Sequence, residues 1–92
     1  METETFENVW DALADTPEEA ANLTARSALM HQITEIIEAG GWKQSEAAER
    51  CNVTQPRIND LLRGRIDRFS LDSLVNIATA LGRKVTMVLE AA

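Results

Sequence analysis

The chain predicts an all-α fold of five helices followed by one short C-terminal β-strand. Three observations carry that reading. Apolar residues recur at helical spacing through most of the 92 residues. The glycines stand where those stripes stop, at Gly40-Gly41, Gly64 and Gly82. Strict alternation occurs once, around Val85, Met87 and Leu89, in a stretch rich in β-branched residues. With 45% hydrophobic and 26% charged residues, the composition is that of a globular chain, and the length fits one domain spanning 1–92. A domain this small buries about 60 to 65% of its unfolded surface, so its stability is modest and a partner is expected to add to it.

The first helix rests on Phe6, Val9, Trp10 and Leu13, and Asp15-Thr16 interrupts it. Thr16-Pro17-Glu18-Glu19 then combines a hydroxyl N-cap, a proline at the first helical position and a glutamate three residues on, the pattern of a capping box. That helix runs over 17–39 with Leu29, Ile33, Ile36 and Ile37 as its stripe, and 5–39 forms an N-terminal helical extension. Two short helices follow, 43–51 and 54–63, separated by Asn52-Val53. The first turns Ala47, Ala48 and Cys51 inward, and the second turns Ile58, Leu61 and Leu62 inward. Thr54 caps the second, and Pro56 is tolerated in its first turn. Helices joined by so tight a turn must cross steeply. Ser70 caps the last helix, 71–81, whose Leu71, Leu74, Val75, Ala78 and Leu81 face the core, and residues 83–90 form the strand.

Several function classes drop out. A lone cysteine, Cys51, makes no internal disulfide, and a lone histidine, His31, has no companion at metal-ligand spacing. His31 also lacks an orienting acid nearby in sequence. Glu18, Glu19, Glu35 and Glu38 coincide with no nucleophile or glycine-rich loop, so neither an enzyme nor a cofactor is expected. No apolar run approaches a membrane span and the N-terminus has no secretory pattern, which predicts a cytoplasmic protein without a membrane partner. Trp42 reads as a packing residue, since no second aromatic beside it makes a stacking platform, and Cys51 as a small buried hydrophobe.

The net charge of −6 hides an uneven distribution. Residues 1–41 hold nine acids and one base, a net −8, whereas residues 42–84 hold eight bases and five acids, a net +3. Such asymmetry points to two surfaces with two partners. On the second short helix, a 3.6-residue projection leaves Gln55, Arg57, Asn59, Asp60 and Arg63 off the core face. These residue types suit base edges: arginine reads guanine, glutamine and asparagine read adenine, and aspartate accepts from cytosine. Gln55, Arg57, Asn59 and Asp60 are therefore the candidate base contacts. Lys43, Gln44, Thr54, Arg63, Arg65 and Arg68 are the candidate phosphate contacts, at helix starts and in the basic stretch after the second helix.

The stretch QSEAAERCNVTQPRINDLLRG, residues 44–64, resembles the helix-turn-helix motif of Cro and phage-repressor regulators, the XRE family. The order of FENVWDAL, PEEAANL, a long helix, TQPRINDLLRGRIDRFSLDSLVNIATALG and a terminal strand is similar to the HigA-like antitoxin group over roughly 6–90. The resemblance implies a five-helix, lambda-repressor-like domain with its helix-turn-helix at 43–64. It further implies a transcriptional repressor that autorepresses its operon and, as the antitoxin of a type II toxin-antitoxin pair, neutralises a small RelE/HigB-like toxin. In such regulators the glutamine matching Gln44 contacts a phosphate, and positions matching Gln55, Arg57 and Asp60 lie at or near base edges. Lys43 stands where the family has a threonine or serine N-cap, and Asn52 where it has glycine. Asp60 would place a negative charge near phosphates, so it could instead orient Arg57 or Arg63.

A lone strand leaves unpaired N–H and C=O groups, so it must find a partner outside the chain. The simplest solution is a homodimer in which 83–90 pairs with itself across a twofold axis, with Val85, Met87 and Leu89 packed on the helices. Two recognition helices would then meet a palindromic operator in double-stranded DNA. The runner-up is pairing with an edge strand of a toxin. At the level of function the alternatives are a stand-alone XRE-type regulator and a protein-interaction module that does not bind DNA.

Overall fold

A computed structural model describes residues 13–91. Among these are four α-helices: α1 (Pro17–Gly40), α2 (Gln44–Cys51), α3 (Gln55–Leu62) and α4 (Leu71–Ala80), with a 3-10 turn at Ile66–Arg68 between the last two. The expected helix over Phe6, Val9 and Trp10 lies outside the described residues.

Local signals set the starts of α1 and α4 and the ends of α1 and α2. The Thr16 hydroxyl accepts from the Glu19 amide at 3.0 Å, and Pro17 occupies the first turn of α1. Gly41, at φ 66°, ends α1 in the left-handed region. Asn52 ends α2 in the same conformation, φ 56° and ψ 43°, and the following amide of Val53 wraps back to the Ala48 carbonyl at 3.0 Å. Asparagine tolerates this region best after glycine, which is why the departure at Asn52 leaves the tight turn intact. At α4, Ser70 and Ser73 form a reciprocal capping box.

The core joins all four helices. Ile33 and Ile37 of α1, Ala47, Ala48 and Cys51 of α2, Ile58 and Leu61 of α3, and Leu74, Ile77 and Ala78 of α4 are buried together with Phe69. The alanines let α2 and α3 approach each other closely, while α2 also packs on α4 and α3 on α1. Phe69 and Ile77 are absent from the periodic stripes read above, and Phe69 reaches the core from a connection rather than a helix.

The expected strand does not form within the single chain. Residues 83–90 run without regular structure, and among the described residues no backbone hydrogen bond involves 84–91. The Arg83 amide still turns back to the Ala78 carbonyl at 2.9 Å. Beyond it, a strand is defined by a ladder, and no second extended segment stands alongside among the described residues. Val85 packs against the core, whereas Met87, Val88 and Leu89 are 72, 81 and 101% exposed. The apolar tail is thus presented outward.

Candidate nucleic-acid interface

The starts of α2 and α3 both expose polar groups. Lys43 stands at the N-cap of α2 with no side-chain cap bond, and Lys43 and Gln44 are exposed. Thr54 stands at the N-cap of α3, where its hydroxyl likewise makes no cap bond, and Thr54 and Gln55 are exposed. The first amides of a helix lack intrahelical acceptors, and the helix dipole adds a partial positive charge there. Both starts therefore favour an anion. Asn59 is half-buried further along α3, and Arg63 is exposed at its end.

Two expected base contacts are otherwise engaged. The Arg57 guanidinium lies 4.2 Å from the centroid of the Phe69 ring and donates through Nη1 to the Arg68 carbonyl at 2.7 Å. It is turned to the connection after α3, not held free for a base. The Asp60 carboxylate, with its side chain only 14% exposed, accepts from Arg68 Nη1 at 3.1 Å and lies 3.6 Å from Arg65 Nη1. A carboxylate already holding two guanidinium groups is a poor acceptor for cytosine. The physical reason is the same at both positions: the chain folds back after Gly64, φ 70°, and brings carbonyls, an aromatic ring and two arginines against the flank of α3. Helical projection treats that flank as open.

The connection is gripped from α1 as well. Arg26, the single base among residues 1–41, donates through Nη1 to the carbonyls of Ile66 and Phe69 at 3.2 and 3.1 Å, and through Nε to Asn22. Sequence reasoning missed Arg26, although a lone cation in an acidic helix was a visible anomaly. The four arginines and two aspartates of residues 57–68 leave this region at +2, within a chain of net −6.

A family model described as a helix-turn-helix domain matches residues 12–90. The chain belongs to that family. No curated protein matches it. In helix-turn-helix terms α2 is the first helix of the motif, Asn52–Thr54 the turn and α3 the second helix, the one that enters the major groove in DNA-binding regulators of this kind. Among the described residues no helix is long and apolar enough to cross a membrane, and no group of three His, Cys, Asp or Glu could hold a metal ion.

The remaining singled-out residues have packing or surface roles. Trp42 is half-buried, packs against the core and carries the Arg50 guanidinium 4.4 Å from its ring centroid, while Arg50 also bonds Glu46 at 3.0 Å. His31 does have an acid beside it, Glu35 one turn on at 3.7 Å, with both side chains mostly exposed. Cys51 is 1% exposed, and burial pushes its thiol pKa up.

Proposed function

We propose that this helix-turn-helix domain is a sequence-specific DNA-binding transcriptional repressor that acts as a homodimer on a palindromic operator and serves as the antitoxin of a type II toxin-antitoxin operon. The observation that carries the DNA reading is the pair of helix starts, each with an unbonded polar N-cap and an exposed glutamine behind it, inside the basic segment of an acidic chain. In this reading α3 enters the major groove with Gln55 and Asn59 at base edges. Lys43, Gln44, Thr54, Arg63, Arg65 and Arg68 meet phosphates.

The test is duplex binding at two salt concentrations on the operator and on random DNA. Phosphate contacts require a steep loss of affinity with salt, and Gln55→Ala should cost about 1 to 3 kcal/mol on the operator while leaving random DNA nearly unaffected. Salt-independent binding, or none, refutes the DNA reading and leaves a protein-interaction module.

The homodimer is supported by the outward apolar tail beside a groove of about 620 Å³ between α1, α4 and the tail, with Leu29, Ile33, Ile36 and Val85 among its lining. A second copy's tail can cover this groove and pair its own free backbone groups in one step, since a two-stranded ribbon needs such packing to be stable. Deleting residues 84–92 should yield a monomer by light scattering with weakened operator affinity. A truncated chain that stays dimeric and binds as before refutes the tail-mediated dimer. The antitoxin reading is supported by the −8 of residues 1–41, which complements a basic toxin. A neighbouring open reading frame encoding a small basic RelE-like protein is its cheapest test, and the absence of one leaves a stand-alone regulator.

A further inference from the structure

Between Gly64 and Ser70 the chain makes a tight connection whose carbonyls are held by side chains from two different helices. Arg26 of α1 holds Ile66 O and Phe69 O, and Arg57 of α3 holds Arg68 O while stacking on Phe69. The ring of Phe69 is 2% exposed, so the connection is pinned to the core at the same point. Asp60 then holds the two basic side chains of the connection, Arg68 by hydrogen bonds and Arg65 by an ion pair at 3.6 Å, and they remain 52 and 39% exposed beside the exposed Asp67. An arginine has five N–H donors; Arg68 meets Asp60 through Nη1 alone and Arg65 donates no hydrogen bond to it, so both keep donors for an outside anion.

We propose that Arg26, Arg57 and Asp60 are positioning residues of a preformed phosphate-binding turn in which Arg65 and Arg68 grip the DNA backbone, and that Arg57 reads no base. The inference rests on the DNA-binding reading above and adds to it how the basic turn is built. Holding a guanidinium in place before the ligand arrives removes the ordering cost that a free arginine side chain meets on binding. The sign of one substitution separates this from the ordinary view of an acid near DNA. If Asp60 merely repels phosphates, Asp60→Asn strengthens binding by removing a negative charge. If Asp60 positions Arg65 and Arg68, the same substitution weakens it.

The experiment measures operator and random-duplex affinity against salt for the full-length chain and for Asp60→Asn, Asp60→Glu, Arg57→Ala and Arg26→Met. Circular dichroism establishes that each variant is folded at the assay temperature. Asp60→Asn should weaken both duplexes about three- to tenfold and lower the slope of log affinity against log salt by about 1, with part of the loss restored in Asp60→Glu, which keeps the carboxylate. Arg57→Ala and Arg26→Met should weaken both duplexes by similar factors and leave base preference unchanged. Tighter binding by Asp60→Asn, or a loss of preference at one base pair in Arg57→Ala, overturns the proposal. A second arm uses no DNA: amide hydrogen exchange at Ile66, Arg68 and Phe69 should rise at least about tenfold in Arg26→Met and Arg57→Ala relative to amides of α2. Unchanged exchange there overturns the positioning roles. A wild-type chain that binds neither duplex refutes the DNA reading and the phosphate role together, and the exchange arm still decides whether these side chains hold the turn.

Discussion

Gly40, the last residue of α1, lies under the indole of Trp42, and replacing it with alanine sets two effects of opposite sign against each other. Alanine is the better helix former by about 0.5 to 1 kcal/mol in a helix interior and by less at a terminus. A β-carbon at this position, however, would stand 2.7 Å from Cζ2 and 2.8 Å from Cδ2 of Trp42, well inside contact distance. The ring is the far end of a side chain, so it can swing away. Doing so removes its stacking with Arg50, about 0.5 to 1 kcal/mol, and re-exposes part of its apolar surface at about 25 cal/mol per Å². These losses together amount to about 1 to 2 kcal/mol and outweigh the propensity gain. Gly40→Ala should therefore destabilise by about 1 kcal/mol, a drop of about 4 to 8 °C in Tm for a domain of this size. Thermal unfolding followed by circular dichroism reads this directly. The control is the same substitution in a Trp42→Ala background, where the clash is gone and alanine should be neutral or slightly stabilising. A stabilised Gly40→Ala single variant, or equal cost in both backgrounds, refutes the steric argument.

Asn52→Ala places an ordinary β-carbon at φ 56° and should cost about 1 to 2 kcal/mol by denaturant unfolding, whereas Asn52→Gly should be close to neutral. The Cys51 thiol, raised by burial, should resist alkylation in the folded chain and react at an ordinary rate once the chain is unfolded. Because its folded pKa lies above its unfolded one, its contribution to stability is complete below the unfolded pKa of about 8.5 and is lost as pH rises above that value. A Cys51→Ala variant, which cannot ionise there, should show a shallower loss of stability between about pH 8 and 10.

The helices were legible because their signals are local. Thr16-Pro17 and Ser70 mark helix starts, Gly41 and Asn52 mark ends, and all four sit where the sequence places them. The inward faces of α2 and α3 followed from spacing alone, with Ala47, Ala48, Cys51, Ile58 and Leu61 all buried. The candidate site was legible by residue type and less so by orientation. Arg57 and Asp60 stand on the polar side of α3 as projection requires, but their partners, the Arg68 carbonyl, Phe69 and the two following arginines, lie 5 to 12 residues further on in a connection with no periodicity. Arg26 meets the same connection across 40 and 43 residues, a distance no local pattern encodes. The strand is a different case: alternation records a disposition to pair, and pairing is a property of two segments.

A chain of net −6 can still bind a polyanion if its negative charge is kept away from the contact. The 24 residues of α1 span about 36 Å at 1.5 Å per residue. Screening in physiological salt acts over about 8 Å. Arg26 anchors the basic connection near the first third of α1, so Glu18 and Glu19 stand about 10 to 12 Å along the helix axis from that anchor, and Glu35 and Glu38 about 13 to 18 Å in the other direction. Along the helix axis each of these four acids is thus more than one screening length from the Arg26 backbone position. At low salt the screening length grows past these distances, and the acids begin to repel DNA along with the arginines attracting it. The salt slope of binding should consequently flatten below about 30 mM, in contrast to a uniformly basic domain, whose attraction keeps rising as salt is removed. Neutralising Glu18 and Glu19 together with Glu35 and Glu38 should restore the steep slope at low salt and leave affinity at 150 mM nearly unchanged. A flat region that persists in that variant would place its origin in the contact itself.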